Sequence, residues 1–280
     1  MFDQTYSMSD STYRLMRELI YKFCGLTFDD NSKYFFEKRL SNRVSMHQLR
    51  DFQDYYYFLM YDKNRSDELS SIIDILTINE TYFFREEQQL KAFSEEILQE
   101  LKEKKMKQGD RSLRIWSAGC STGEEPHTIA MLILESQLFS GWDVEIFASD
   151  ISHRVLQVAR KGEYGKSSFR TTKEEYIRRY FMDANDKKRI IDPVRKLVNF
   201  GYLNLFDSTK IFLLGKMDVI FCRNVIIYFD QEAKKNVISH FERQLNGGGY
   251  LLVGHSESLI NLSTAFRLKH LKNDMVYQKP

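Results

Sequence analysis

The sequence predicts a doubly wound α/β sheet, mostly parallel with an antiparallel edge, preceded by a small all-helical domain. Three observations carry that expectation. From about Ser9 to Ser94, apolar and aromatic residues recur at spacings of three and four, the period of an amphipathic helix. From Leu113 onward, short apolar runs alternate with helical stretches, the rhythm of strands joined by helical crossovers. Between the first such run and its helix lies a loop holding Gly119 and Gly123. In the helical region the apolar stripes fall at Leu15, Leu19 and Phe23, then Phe52, Tyr56 and Met60, then Leu69, Ile73 and Leu76. The charged stretch Lys102 to Arg114 closes with Gln108-Gly109-Asp110 and reads as a helix end and linker. The strands follow as LRIWSA, VEIFAS, LVNFGYLNL, MDVIFC and YLLVGH, with Asn246 to Gly249 as a helix C-cap before the last. Between Gly162 and Phe200 the rhythm breaks. There Asp192-Pro193 separates two strand-like runs, which reads as a small inserted hairpin. The final segment, FRLKHLKNDMVYQKP, reads as two strands turning at Lys272 to Asp274. The expected division is a helical domain at 1–92 and an α/β domain at 93–280, with the insertion at about 162–200.

Composition narrows the function. The 280 residues are 42% hydrophobic, enough for a real core. Lys and Arg total 41 against 39 Asp and Glu, and a net charge of +2 lacks the basic excess that attracts nucleic acid. Cys24, Cys120 and Cys222 are odd in number and widely spaced, which suits a reducing cytosol and suggests neither a disulfide framework nor a metal site. The N-terminus has no apolar leader, and no run approaches the roughly 18 apolar residues of a membrane span, so a cytoplasmic protein without membrane insertion is expected.

The run LRIWSAGCSTGEEPHTIAML is a strand, a glycine loop and a helix, an arrangement that lets backbone approach a ligand at a helix N-terminus. The next strand ends at Asp150, 27 residues after Gly123, where an acidic side chain would bind a ribose diol in a doubly wound sheet. By itself Asp150 would be a helix cap; the pair carries the inference. GCSTG also satisfies the G-x-S-x-G elbow of esterases, and Asp218 or Asp230 with His255 would complete the chain order Ser, Asp, His. Against an esterase, an elbow normally follows several strands, whereas the residues upstream of Leu113 read as helical and hold no HGGG-type motif. No GxxxxGK[ST] is present, and a nicotinamide enzyme would show GxGxxG where this chain has GCSTGE. S-adenosylmethionine is the ligand that remains.

Five blocks in order, Asn79-Glu80-Thr81-Tyr82-Phe83-Phe84-Arg85, AGCSTGEEP, FASDIS, FCRNVIIYFD and GHSESL, resemble the chemotaxis receptor methyltransferase (CheR) family over nearly the whole chain. The resemblance implies a class I S-adenosylmethionine-dependent methyltransferase domain behind an all-helical domain, with a small β subdomain inserted. It implies a protein-glutamate O-methyltransferase acting on chemotaxis receptors in sensory signal transduction. Carried over by position, it implies cofactor contacts at Asn79, Thr81, Arg85, Glu124, Asp150, Asn204, Leu205, Arg223 and Asn224, and an active-site tyrosine at Tyr228. It also implies a basic active-site residue shortly before the first strand, for which Lys104, Lys105 and Arg114 all stand as candidates. The partners implied are the glutamate-bearing cytoplasmic helices of the receptors, and a receptor-tail tether peptide that the β subdomain of the family can hold by strand addition.

Plainer readings stand beside these. Phe83 and Phe84 could fill a domain interface, Arg223 could be a structural ion pair, and Tyr228 could be a core aromatic. If Lys38 to Arg50 is one helix, then Arg39, Arg43, His47 and Arg50 share an arc of about 80° that would offer a basic dock. A non-catalytic module that keeps the cofactor fold is the alternative of a different kind, and the [DN]PP[YF] signature of amino-group methylation is absent where RNVIIY stands.

Overall fold

The computed structural model describes residues 5–77 and 79–280. Helix α1 (Asp10–Cys24) starts where the Ser9 hydroxyl accepts from the Thr12 amide, and stops at Gly25, which takes the left-handed conformation. Helices α2 (Lys33–Met46), α3 (Phe52–Tyr61) and α4 (Arg65–Leu76) pack with it. Their core holds Met16, Ile20, Phe36, Leu40, Tyr55, Leu59 and Ile73. The buried face of α1 is centred one residue beyond the expected stripe: Met16, Ile20 and Cys24 are buried, Leu19 and Phe23 pack half-buried at its edge, and Leu15 is 42% exposed. Two adjacent faces of α1 are apolar, and the neighbours decide which one becomes the core.

The basic arc on α2 is only partly free: Arg39 is exposed, its guanidinium over the Phe35 ring, whereas Arg43 and His47 are half-buried. The helix ends at Met46, so Arg50 lies beyond it and pairs with Asp54. Arg43 and His47 both reach the buried carboxylate of Glu68, which also accepts from the Tyr55 hydroxyl. Arg43 and Tyr55 donate to this carboxylate and satisfy the buried charge, with His47 Nε2 2.8 Å away, which leaves little of the Arg43 head group for a partner.

Helix α5 (Glu87–Ala92) continues through a π-turn at Phe93–Ile97 into α6 (Leu98–Lys107). Leu90, Phe93, Ile97 and Leu101 of this rod lie in the core under the sheet. A boundary at 92/93 would cut that rod, and the packing moves the division upstream, to the segment between α4 and α5.

The α/β domain contributes, in chain order, β1 (Ser112–Ala118), α7 (Glu124–Ser136), β2 (Asp143–Asp150) and α8 (His153–Lys161). After the insertion come β6 (Val198–Tyr202), α11 (Ser208–Leu213), β7 (Met217–Cys222), α12 (Gln231–Gln244), β8 (Leu245–Val253), β9 (Arg267–His270) and β10 (Met275–Gln278). The seven-stranded sheet has the order β6-β2-β1-β7-β8-β10-β9. The first five strands are parallel, and β10 inserts antiparallel between β8 and β9. Residues Asn246 to Gly249 belong to β8 and cap nothing: α12 ends at Gln244, and the register between β7 and β8 shifts there, so the glycine-rich run is absorbed as a bulge.

The insertion holds β3 (Glu163–Tyr164), α9 (Glu174–Tyr180), β4 (Phe181–Ala184), β5 (Lys187–Ile190) and α10 (Asp192–Arg195), its three strands ordered β3-β5-β4. The hairpin turns at Asn185-Asp186, with Asn185 at positive φ, and not at Asp192-Pro193. Proline pre-sets φ for a first helical turn, so Asp192-Pro193 opens α10, and the second apolar run becomes β6 of the main sheet. Among the described residues no helix is long and apolar enough to cross a membrane.

The two regions meet through backbone. Leu26 pairs antiparallel with Phe229, the Thr27 amide donates to the Tyr228 carbonyl at 3.1 Å, and Asn204 Nδ2 donates to the Phe23 carbonyl at 2.6 Å. Gly25 makes this junction possible, because a Cβ there would stand 2.0 Å from Phe206 Cζ. Gly25→Ala should therefore destabilise the protein by about 2–4 kcal/mol, the left-handed penalty plus overpacking. Gly109→Ala, also at positive φ but with nothing within 4 Å, should cost only about 1–2 kcal/mol; urea unfolding of the two variants checks the difference.

Candidate functional site

In a doubly wound sheet, ligands bind at the carboxyl ends of the strands where the strand order reverses. Here that point lies between β1 and β7, and above it opens a cavity of about 770 Å³. Its floor is the loops after β1, β2, β6 and β7; its roof is the segment after α1 and the segment between α4 and α5. Asn79, Thr81, Arg85, Asp150, Asn204, Leu205, Arg223, Asn224 and Tyr228 all line it.

Glu124 does not line the cavity. Its carboxylate turns inward, accepting from Thr122 Oγ1 at 2.6 Å and Ser168 Oγ at 2.9 Å, and burial raises its pKa. The next residue, Glu125, faces the cavity instead. On the first turn of a helix, adjacent side chains diverge by about 100°, and the sequence alone does not say which one points at a ligand.

The NETYFFR segment does two jobs. Phe83 is buried against Tyr164, Phe169 and Phe181 of the insertion, and its amide donates to the Ser168 carbonyl at 2.9 Å. With Phe83 seated, Asn79, Thr81 and Arg85 face the cavity, and Arg85 Nη1 donates to the Glu80 carbonyl at 2.9 Å.

Asp150 ends β2 with each oxygen engaged once: Oδ2 accepts from the Ser121 amide at 2.8 Å and Oδ1 from the Ser152 amide at 2.9 Å. Burial raises its pKa, and those amides oppose the rise. Each oxygen keeps a second lone pair for a ligand. The Asn204 amide is spent on structure, bonding the Phe23 carbonyl and the Phe206 amide, so this residue presents mainly backbone. Arg223 is an ion-pair hub: it reaches Glu125 at 3.2 Å, Glu86 at 3.1 Å and the Arg85 carbonyl. Asn224 holds a left-handed φ of 59°, and its buried Oδ1 has no partner among the described residues. Such an orphaned acceptor suits a ligand that carries an ammonium group. Tyr228 is half-buried in the cavity wall; burial raises its pKa and the nearby Arg85 charge opposes the rise.

Lys104, Lys105 and Arg114 lie at the opposite end of the sheet. Lys104 donates to the Gly247 carbonyl, Lys105 pairs with Asp110 and Asp218, and Arg114 pairs with Glu145. Among the described residues, the basic side chains that line the cavity are Arg85 and Arg223. Neither is a lysine or arginine just ahead of the first strand. The esterase constellation is also dispersed: His255 pairs with Asp274, Asp218 with Lys105, and Asp230 caps α12. Ser121 has only a 3.5 Å contact to the Asn79 carbonyl, with no imidazole beside it.

Known protein families match both regions of the chain. The family described as "CheR methyltransferase, all-alpha domain" matches residues 11–77, and "CheR methyltransferase, SAM binding domain" matches residues 79–275. The chain is 37% identical over 275 residues to chemotaxis protein methyltransferase 2 of Vibrio cholerae, covering 98% of this chain and 94% of that protein. It is 33% identical over 270 residues to the chemotaxis protein methyltransferase of Salmonella typhimurium, covering 95% and 90%. With that of Escherichia coli it shares 32% over 267 residues, covering 94% and 90%. With both matched regions joined at the cavity described above, the chain belongs to the CheR methyltransferase family.

Proposed function

We propose that the cavity between the two regions binds S-adenosylmethionine and brings a receptor glutamate to Tyr228. As a member of its family the chain is a protein-glutamate O-methyltransferase, which esterifies glutamate side chains of chemotaxis receptors with S-adenosylmethionine as methyl donor. The observation that supports the residue assignments is their convergence: three residues between α4 and α5 and six from the strand ends line one cavity at the switch point.

When bound, the cofactor supplies an electrophilic methyl group on a sulfonium. A glutamate carboxylate, with a pKa of about 4.3, is ionised at neutral pH, so the protein has no proton to remove from it. Its task is to align the reactants and exclude water, effects worth about 7–11 kcal/mol in well-oriented systems. In this reading Asp150 offers its free lone pairs to the ribose hydroxyls, and Asn224 Oδ1 accepts from the ammonium group. Leu205 gives an apolar wall, while Asn79, Thr81 and Arg85 close the site from above. Arg223 acts on the ligand through the loops it ties together, four of its five N–H donors being occupied. The Tyr228 hydroxyl, protonated at neutral pH as any tyrosine is and held so more firmly by burial, is available to orient the reacting oxygen.

The receptor surface engaged is the cytoplasmic, glutamate-bearing helices, which puts the enzyme in the cytoplasm. The outer edge of β4, paired on one side only among the described residues, is where a receptor tail peptide would add as a strand.

Incubation with methyl-labelled cofactor and receptor-containing membranes should give label that alkali releases; stable label would refute ester formation. Asp150→Ala should weaken cofactor binding by about 1.5–3 kcal/mol, the scale of charged hydrogen bonds, and calorimetry on the folded variant measures it. Tyr228→Phe should lower kcat about tenfold or more while cofactor affinity stays nearly the same, since only a hydroxyl is removed. Single-turnover methylation with binding measured in parallel separates this from a core role, for which kcat would not change.

A further inference from the structure

The loop from Arg223 to Tyr228 leaves the end of β7 in an unusual shape, with Asn224 at φ 59° and a turn of 3-10 helix at Ile226–Tyr228. A non-glycine residue in the left-handed region carries a cost, and persists only where the surroundings hold it. The holding group is Glu257, from the GHSESL stretch after β8. Its Oε2 accepts from the Gly254 amide at 2.6 Å and from the Asn224 amide at 2.7 Å, and its Oε1 accepts from the Ile227 amide at 3.2 Å. No lysine, arginine or histidine pairs with it among the described residues. Burial raises its pKa and the backbone amides oppose the rise, so peptide dipoles alone hold this charge.

The fit leaves no slack. A Cβ on Gly254 would stand 2.8 Å from Asn224 Nδ2, 2.9 Å from Glu257 Oε2 and 3.0 Å from the Asn224 amide. Glycine is thus needed for the carboxylate to reach the loop. On the other side, the loop is fixed by Thr27, whose amide donates to the Tyr228 carbonyl at 3.1 Å and whose hydroxyl accepts from the Asp230 amide at 3.1 Å.

We propose that Glu257 is a positioning residue for methyl transfer: its carboxylate gathers the Asn224, Ile227 and Gly254 amides and so fixes the loop that presents Tyr228 to the substrate. The inference rests on the role given to Tyr228 above. Glutamine at 257 would keep the shape but turn an amide N–H toward backbone donors, which pushes the loop away.

The test is a double-mutant cycle in the full chain with Glu257→Gln, Tyr228→Phe and the combination, read by single-turnover methylation of receptor-containing membranes at saturating S-adenosylmethionine. Thermal melting of each variant runs in parallel. Glu257→Gln should slow transfer about tenfold in the wild-type background and less than about twofold in the Tyr228→Phe background, because coupled residues are non-additive. Gly254→Ala, which displaces the same carboxylate without changing charge, should repeat that pattern and serves if Glu257→Gln fails to fold. Equal slowing in both backgrounds, or no slowing in either, overturns the inference while leaving the role of Tyr228 standing. A Tyr228→Phe protein with the wild-type rate overturns the tyrosine's role, and the inference with it, in an arm that contains no change at Glu257.

Discussion

A buried guanidinium has to be paired, and Arg223 is paired by three parts of the chain at once. Leaving such a charge uncompensated costs several kcal/mol, so the groups around it are held where they are by its demand for acceptors. Glu86 fixes the end of the segment between α4 and α5, Glu125 fixes the first turn of α7, and the Arg85 carbonyl fixes the backbone of a residue that faces the cavity. Phe84 and Glu86 both sit at positive φ, a conformation this pairing and the seating of Phe83 sustain. The cavity roof therefore hangs from a cation at the end of β7.

The chemistry asks little of individual side chains and much of their placement. An ionised carboxylate attacking a sulfonium methyl needs no base, and the walls consist largely of groups whose polar atoms are already engaged with backbone. Among the groups left open are the second lone pairs of Asp150, the Asn224 Oδ1 and the Tyr228 hydroxyl. A rigid frame with a few unspent polar atoms is what alignment catalysis requires.

The sheet and the helical region could be read from periodicity and from the glycine loop, because burial imposes those patterns locally, whereas the switch point needed the observed strand order. The cavity-lining residues could be read only through motif order, since nothing in the strings FCRNVIIYFD or NETYFFR says that they meet. Glu124 and Glu125 were indistinguishable, as one helical step decides which faces the ligand. On α1, Leu15, Leu19 and Phe23 form as good a stripe as Met16, Ile20 and Cys24 until neighbours are known; Leu19 and Phe23 end at the core's edge and Leu15 outside it. The hairpin turn was placed at Asp192-Pro193 because proline marks turns and helix starts alike, and Asn185-Asp186 is the quieter signal. Arg43 and His47 looked like a dock because their partner, Glu68, lies two helices away.

The pairing of Thr27 with Asp230, 203 positions apart, has a consequence for how the enzyme comes into being. The segments that roof the cavity precede in the chain the strand ends they cover and the Glu257 that shapes the Tyr228 loop. Helices α1 to α4 are all synthesised long before the chain reaches Glu257. A product truncated before Glu257 would therefore keep the entire helical domain and lack the carboxylate that shapes the Tyr228 loop.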